Sequence, residues 1–595
     1  MDLLADGWHM LQQHAASVLV VVTCMLWGGA VIAGLTRRIA RMDDGTDTLS
    51  LVVGAWMLPA LAASALALLI GAVAHNQKIV QLVAAVGALA ALGFAWSGGR
   101  WRAIASQGFV ASSIPLAVIL TIFALVRLAF MKTLILPLYF DSATHYGLIR
   151  QLLSRLTAPG SAQALVLPAP TYYHLGYHIL LAGWISLVRV DVAELMLVSG
   201  QLILVAAPVP LYLLAHRSTG SRLAALMAVV LGATGWYAPA HAVNWGKYPV
   251  LFSMLPMLSA INLAYLAVET GVDPQARRKL IVLAIVAAGA AVVVQTRSII
   301  VLTMAITAWM LSRRWLTLRP SRRWLVLALV LLVVAMLGVY VARDAVLVEA
   351  LDPYLRAGAW VTGLVGLLCV FAFQSFPQVA FASLLTLAFL LAGLVIPAPI
   401  PAAGTLLDRP LVEMLLFAPL SMLGAAGLAG MLGSLHPRWQ RLGPAAGTLI
   451  LLAVVAHALA NYGFHPSPCC AIVTTDDLVA LDWLSKGLPA DAQVAIASTQ
   501  LRVAPASYAP LEAPVDAGVW IQPLTGLRTT ALPAGIDFGD GGTLGLICER
   551  GVKYVYVGSA SQSFDARSLQ GRPAWYRSRL ELSTASIYEV TACRP

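Results

Sequence analysis

The sequence predicts a polytopic α-helical membrane protein, closed by a small C-terminal α/β domain. Three observations carry this. Hydrophobic residues make up 60% of the 595 residues and charged residues 11%, whereas soluble domains carry about a quarter charged residues. The mean hydropathy is +0.83. Apolar runs of spanning length recur from Ala16 to Ala460, and the composition changes after His465. These features exclude a cytosolic enzyme, a disordered chain and a secreted disulfide scaffold.

Taken in order, the apolar runs suggest about fourteen transmembrane helices. The first four are Ala16–Leu35, Ser50–Ala74, Ile79–Trp96 and Val110–Phe130. A polar stretch from Met131 to Tyr173 follows, and the first large loop extends over about 131–190. Then come Val192–Ala215, Leu223–Ala240, Val250–Ala267, Leu280–Val294, Ser298–Leu311 and Trp324–Val341. The last four are Ala357–Ala372, Val379–Val395, Leu411–Leu432 and Ala445–Ala460. The transmembrane domain is thus 1–464 and the soluble domain 465–595.

The net charge of +11 would suggest nucleic acid on a soluble protein. Here the basic residues sit in short loops: Arg37-Arg38-Arg41, Arg100-Arg102, Arg217-Arg222, Arg277-Arg278-Lys279, Arg313 through Arg323, and Arg438-Arg441. The positive-inside rule accounts for them, and no nucleic-acid partner is expected. All six loops share one side if the N-terminus is outside and Leu175–Leu187 does not cross. That segment has about 13 residues, too few for a core of about 30 Å. It reads as an interfacial or re-entrant helix. No cleavable signal peptide is expected, because the first apolar run has basic residues after it and none before it.

Six cysteines are present. Cys24 and Cys369 lie inside apolar runs and read as packing residues. Cys469, Cys470, Cys548 and Cys593 fall in the polar C-terminal region. An extracytoplasmic location permits one or two disulfides, with the pairing open. In the same region "TTDDLVALDWLSKGLP" predicts a helix capped by Thr474 or Thr475 and stopped at Gly487 and Pro489. "AQVAIAS", "KYVYVGS" and "SIYEVTA" predict strands. The domain holds no phosphate loop or catalytic triad, and reads as a structural cap.

Four polar segments are candidates for chemistry, and all fall on the outer side of this topology. "LPLYFDSATHYGLIRQLLSRL" predicts an amphipathic interfacial helix with Asp141 at its start. Asp141 and His145 are i, i+4 and share a helical face. Asp141 also suits a helix N-cap, a role compatible with catalysis. "TYYHLGYHILLAGW" places Tyr172, Tyr173, His174 and His178 together. The two histidines have metal-ligand spacing but lack the glutamate of zinc-protease motifs. Polar packing or substrate contact is the expected role. "HAVNWGKYPVL" offers Asn244, Trp245 and Lys247 as donors, a stacking ring and a cation. "VVVQTRSIIVL" places Arg297 between two short apolar runs. An arginine at such a depth needs an anion, and a lipid phosphate is a suitable partner.

These residues resemble the GT-C superfamily of membrane glycosyltransferases of the bacterial type. The likeness rests on the acid after a span, the interfacial helix, "TYYHLGYHILLAGW", "LLAHRSTGSRLAALMAVVL", "NWGKYPVL" and the C-terminal "ALDWLSKGLPADAQV…YVYVGS…IYEV". It covers about Leu136 to Met310 and the tail. The chain departs from the family at Tyr173-His174, where Pro-Pro is frequent, and in having Asp141 without a second loop acid. The resemblance implies a polyprenyl-phosphate-linked sugar donor and a glycan, lipid or protein acceptor, with membrane lipids as neighbours. It implies inverting transfer at the extracytoplasmic face of the inner (plasma) membrane, with Asp141 as general base. His145, Tyr172, Tyr173, His174, His178, Asn244, Trp245, Lys247 and Arg297 are the expected substrate contacts. No cofactor is required, and a divalent metal is not expected. The rival readings are a transporter or flippase, and a non-catalytic scaffold.

Overall fold

The computed structural model describes residues 2–37, 45–74, 77–96, 107–157, 173–269, 272–398, 404–436, 438, 440–462, 464–505 and 508–593. Among these residues, nine helices are long and apolar enough to cross a membrane. They are Ala15–Thr36, Gly45–Ala74, Ser113–Thr133, Val192–Thr219, Tyr248–Val268, Ser298–Leu316, Pro320–Arg343, Arg409–Gly433 and Gln440–Asn461. Their number and composition fit a multi-pass membrane protein. The other five predicted spans fall on shorter or more charged helices. Lys78–Ala91, Arg222–Gly235, Ala359–Ser375 and Pro377–Gly393 are short. Pro274–Val294 carries Arg277, Arg278 and Lys279 in its opening turns.

Local chemistry marks where helices begin. Asp191, Ser221, Asp273 and Asp408 each accept a backbone N–H of the turn that follows. Pro210, Pro274, Pro320 and Pro377 open helices, where the missing N–H costs nothing. The predicted span Leu223–Ala240 needs correction. Its helix passes into a π-helical turn at Leu231–Gly235, and Trp236 is extended. Ala238–Asn244 forms a separate short helix, opened by Pro239. Two glycines in that turn, Gly232 and Gly235, weaken the helix there.

The membrane helices pack through small residues. A Cβ on Gly427 would lie 2.3 Å from the Leu368 carbonyl oxygen, so the helices Ala359–Ser375 and Phe417–Gly433 approach at backbone distance. The N-terminal helix Asp2–Gln13 has no counterpart among the apolar runs, because it is amphipathic rather than spanning. It lies along Gln107–Ala129, with Asp6 paired to Lys132 at 2.8 Å.

The C-terminal domain is a mixed sheet of six strands with helices. The strands are β1 (Gln493–Leu501), β2 (Leu511–Pro514), β3 (Arg528–Pro533), β4 (Tyr554–Val557), β5 (Tyr576–Glu581) and β6 (Ser586–Val590). The order is β2-β1-β4-β6-β5, with β3 also parallel to β1. The three strands expected from β-branched and aromatic runs are β1, β4 and β6, the neighbours at the centre of the sheet. The helix Thr475–Gly487 is capped by Thr474 in a reciprocal box with Asp477. Cys548 and Cys593 form a disulfide with Cα atoms 5.3 Å apart. Cys469 and Cys470 are free.

This domain touches the membrane domain directly. Trp520 meets Tyr146 edge to face at 5.5 Å, and Pro523 lies against Gly147. The carbonyl of Val503 accepts the N–H of Arg409 at 3.0 Å. The domain therefore holds two elements that build the site below.

Candidate functional site

Four helices start at one end of the bundle, beside the C-terminal domain. They are Tyr139–Thr157, Tyr248–Val268, Ser298–Leu316 and Arg409–Leu415. Asp141 lies in the first turn of one helix. Lys247, Arg297 and Asp408 are the residues immediately before the other three. The four charges form two ion pairs, Asp141 with Lys247 and Arg297 with Asp408.

The first pair depends on local backbone geometry. Tyr139 opens its helix at φ +67°, a left-handed conformation rare for a residue with a Cβ. Its N–H is held by the Cys470 carbonyl at 3.0 Å. On the other side, Gly246 adopts φ +63° and presses against Ser142. The Lys247 N–H then bonds to the Ala242 carbonyl at 2.7 Å, which closes the loop and aims the side chain at Asp141.

The side chains keep some access to solvent, 21% for Asp141 and 29% for Lys247. Burial opposes the charge on Lys247. Asp141 and Asp408 beside it outweigh that effect and hold its pKa above the ordinary lysine value. Lys247 is therefore an ammonium at neutral pH.

The histidines behave differently. His145 turns into the bundle, where its Nδ1 lies 2.9 Å from His178 Nε2. Burial, then His178 and Lys247, push its pKa well below the ordinary histidine value. His174 stacks on Tyr173 with ring centroids 4.5 Å apart. Burial, then Arg297 and Lys247, push it down to about 4. Both imidazoles are neutral, so they offer hydrogen bonds rather than charge. Tyr173 also approaches His178 at 6.0 Å. Tyr172 lies outside the described residues. Among the described residues no three His, Cys, Asp or Glu side chains converge as metal ligands.

Asn244 and Trp245 are committed to the protein. Asn244 is buried, donates to the Tyr237 hydroxyl at 2.7 Å and accepts from the Ser467 N–H at 3.3 Å. Trp245 lies under the Arg409 guanidinium at 5.6 Å and beside His241 at 4.6 Å. The two residues thus position the loop that carries Lys247.

Sequence reasoning missed the acidic and basic residues of one segment. Asp408, Arg409 and Glu413 belong to "LDRPLVEML". Besides Asp408 with Arg297, Arg409 pairs with Glu349 and Glu413 with His241. Among the described residues, nothing hydrogen-bonds the buried Arg409 Nε. The available signal was three charges within six residues at the end of an apolar run, in a chain with few charges.

No described protein family matches the chain, and no curated protein matches it. The functional reading therefore rests on the residues themselves.

Proposed function

We propose that this chain is an integral membrane glycosyltransferase. It moves a sugar from a polyprenyl-phosphate donor to an extracytoplasmic acceptor, with inversion. The observation that carries the reading is the Asp141–Lys247 pair at converging helix starts, with Arg297 close by. The resemblance of the surrounding motifs to GT-C enzymes supports it.

The proposed topology has all fourteen helices crossing, the N-terminus outside and the active site and C-terminal domain extracytoplasmic. The one-sided basic loops support that orientation. The Cys548–Cys593 disulfide supports an oxidising location for the domain.

A hydroxyl is a poor nucleophile at neutral pH. Asp141 takes the acceptor's proton as the new bond to the anomeric carbon forms. The bond from that carbon to the phosphate oxygen breaks, and polyprenyl phosphate leaves with the electron pair. The leaving phosphate needs no proton, but its charge must be held. Lys247 and Arg297 hold it, and four helix N-termini add positive partial charge.

In the resting protein each of these cations faces a carboxylate. A carboxylate held by an ammonium is not free to meet the acceptor hydroxyl. The donor phosphate competes for Lys247 and Arg297 and frees Asp141 for the acceptor. Donor binding thereby switches the base on.

The test is transfer from a labelled polyprenyl-phosphate sugar by the full chain in micelles. Asp141→Asn is expected to lose about 10²–10⁴-fold in rate, in a protein that still folds. Turnover at the wild-type rate by that variant would remove Asp141 as the base. Sugar-lipid accumulation in proteoliposomes without transfer would replace the enzyme with a transporter.

A further inference from the structure

A turn of the C-terminal segment lies behind the candidate site and carries two adjacent cysteines. Their sulfurs are 2.7 Å apart. Cys469 is exposed and Cys470 is buried, packed among Phe130, Leu138 and Trp245. The turn binds both arms of the site. The Cys470 carbonyl accepts the Tyr139 N–H, two residues before Asp141. The Ser467 N–H donates to Asn244, in the loop that carries Lys247.

We propose that Cys469 and Cys470 are a thiol–disulfide exchange site, whose reversible vicinal disulfide alters the turn that holds Tyr139 and Asn244. The inference rests on this geometry and is independent of the glycosyl-transfer reading.

Three physical arguments support it. The sulfurs must close from 2.7 Å to only about 2.05 Å to bond. Only Cys469 is exposed, and its contact with Cys470 pulls its thiol pKa down, so the exposed sulfur is the nucleophile. The same chain holds an oxidised pair at Cys548 and Cys593.

The two pairs differ in kind. Cys548 and Cys593 have Cα atoms 5.3 Å apart, inside the usual range of about 4.4–6.8 Å. Adjacent residues are held about 3.8 Å apart by the trans peptide. A vicinal disulfide is therefore strained, and strained disulfides are the labile ones. One pair is a fixed crosslink; the other responds to its surroundings.

The oxidant is a small-molecule or protein disulfide. The Cys469 thiolate attacks one of its sulfurs and expels the other as a thiolate. Cys470 then attacks the Cys469 sulfur and expels the second thiolate. The cysteines lose two hydrogens and two electrons, and the oxidant gains both as two thiols.

Full-length protein in micelles tests this with oxidised glutathione or dithiothreitol, followed by iodoacetamide and peptide mass spectrometry. After oxidation the peptide holding both cysteines is expected to be two hydrogens lighter and unalkylated. It is expected to regain both alkyl groups at reductant levels that leave Cys548–Cys593 closed. Alkylation of both cysteines after oxidation would overturn the site. Cys470→Ser is expected to trap glutathione on Cys469. Since Cys470 is buried, the exposed Cys469→Ser is the companion variant, expected to fold normally and to take no adduct. A glutathione adduct on Cys470 would assign the wrong nucleophile. Hydrogen exchange reads the coupling: the segment around Tyr139 is expected to exchange faster when oxidised. Equal exchange would leave the disulfide uncoupled and overturn that half.

Discussion

Gly246 lies so close to Ser142 that a Cβ on it would sit 2.5 Å from the Ser142 hydroxyl oxygen and 2.8 Å from its amide nitrogen. This contact presses the loop before Lys247 against the helix start that carries Asp141. A φ of +63° adds a second constraint, since left-handed backbone costs a residue with a Cβ about 1–2 kcal/mol.

Gly246→Ala is therefore expected to lower the thermal midpoint and to separate Lys247 from Asp141. A carbodiimide joins a carboxylate to an adjacent amine without a spacer. Wild-type protein is expected to yield an Asp141–Lys247 crosslink by mass spectrometry, and Gly246→Ala little of it. Equal crosslinking in both proteins contradicts the account.

His174 makes stability depend on acidity. Its folded pKa is pushed down to about 4, whereas an unfolded histidine titrates near 6.5. Between those values the unfolded chain binds the extra proton, so stability rises with pH. The contribution is complete above about pH 6.5 and is lost as pH falls toward about 4. His174→Asn is expected to flatten the fall in thermal midpoint between pH 7 and 5, taken as about two pH units. An identical fall in the variant counts against a buried neutral imidazole at this position.

Arg127 sits within the helix Gln107–Ala129 at 2% exposure. Its Nη2 and Nε donate to Gln201 Oε1 at 2.7 and 3.0 Å, and its guanidinium lies 4.6 Å from the Phe130 ring centre. Gln201→Leu leaves a buried cation without its acceptor, at a cost of about 3 kcal/mol. The double variant Arg127→Met/Gln201→Leu removes the charge as well, and is expected to regain most of the lost thermal midpoint. A double variant no more stable than Gln201→Leu alone rules out an orphaned charge as the cause.

The Cys548–Cys593 disulfide closes a separation of 45 residues. Loop-closure entropy assigns such a link about 4 kcal/mol. Cys548→Ser/Cys593→Ser is expected to unfold the C-terminal domain at lower denaturant concentration, read by limited proteolysis of the full chain. An unchanged midpoint would show that the domain is held mainly by its sheet and by contacts with the helix Tyr139–Thr157.

Much of the architecture was readable along the chain, because local chemistry generates it. The apolar runs, the Thr474 cap and the central strands β1, β4 and β6 depend on neighbours in sequence. Strands β2, β3 and β5 were not expected. β2 is only four residues long and β5 is mostly exposed, so neither shows an apolar run, although each pairs with its neighbour in sequence. The shorter helices escaped for a related reason: apolar runs record burial, not where a helix breaks. Gly232 and Gly235 placed such a break inside one predicted span.

Asp141, Lys247 and Arg297 stand out in sequence because charge is rare here and each ends an apolar run. Nothing local says which carboxylate each cation meets. Folding gave Lys247 to Asp141 and Arg297 to Asp408, and it buried Asn244 where a substrate contact was expected. Composition and periodicity alone determined that the chain carries helices long and apolar enough to cross a membrane and ends in a polar, sheet-bearing tail, since both follow from solvation of each segment. The ion pairs, the contact between His145 and His178 and the choice of disulfide were decided by tertiary structure, because polar and covalent contacts depend on distances between segments that the chain order leaves free.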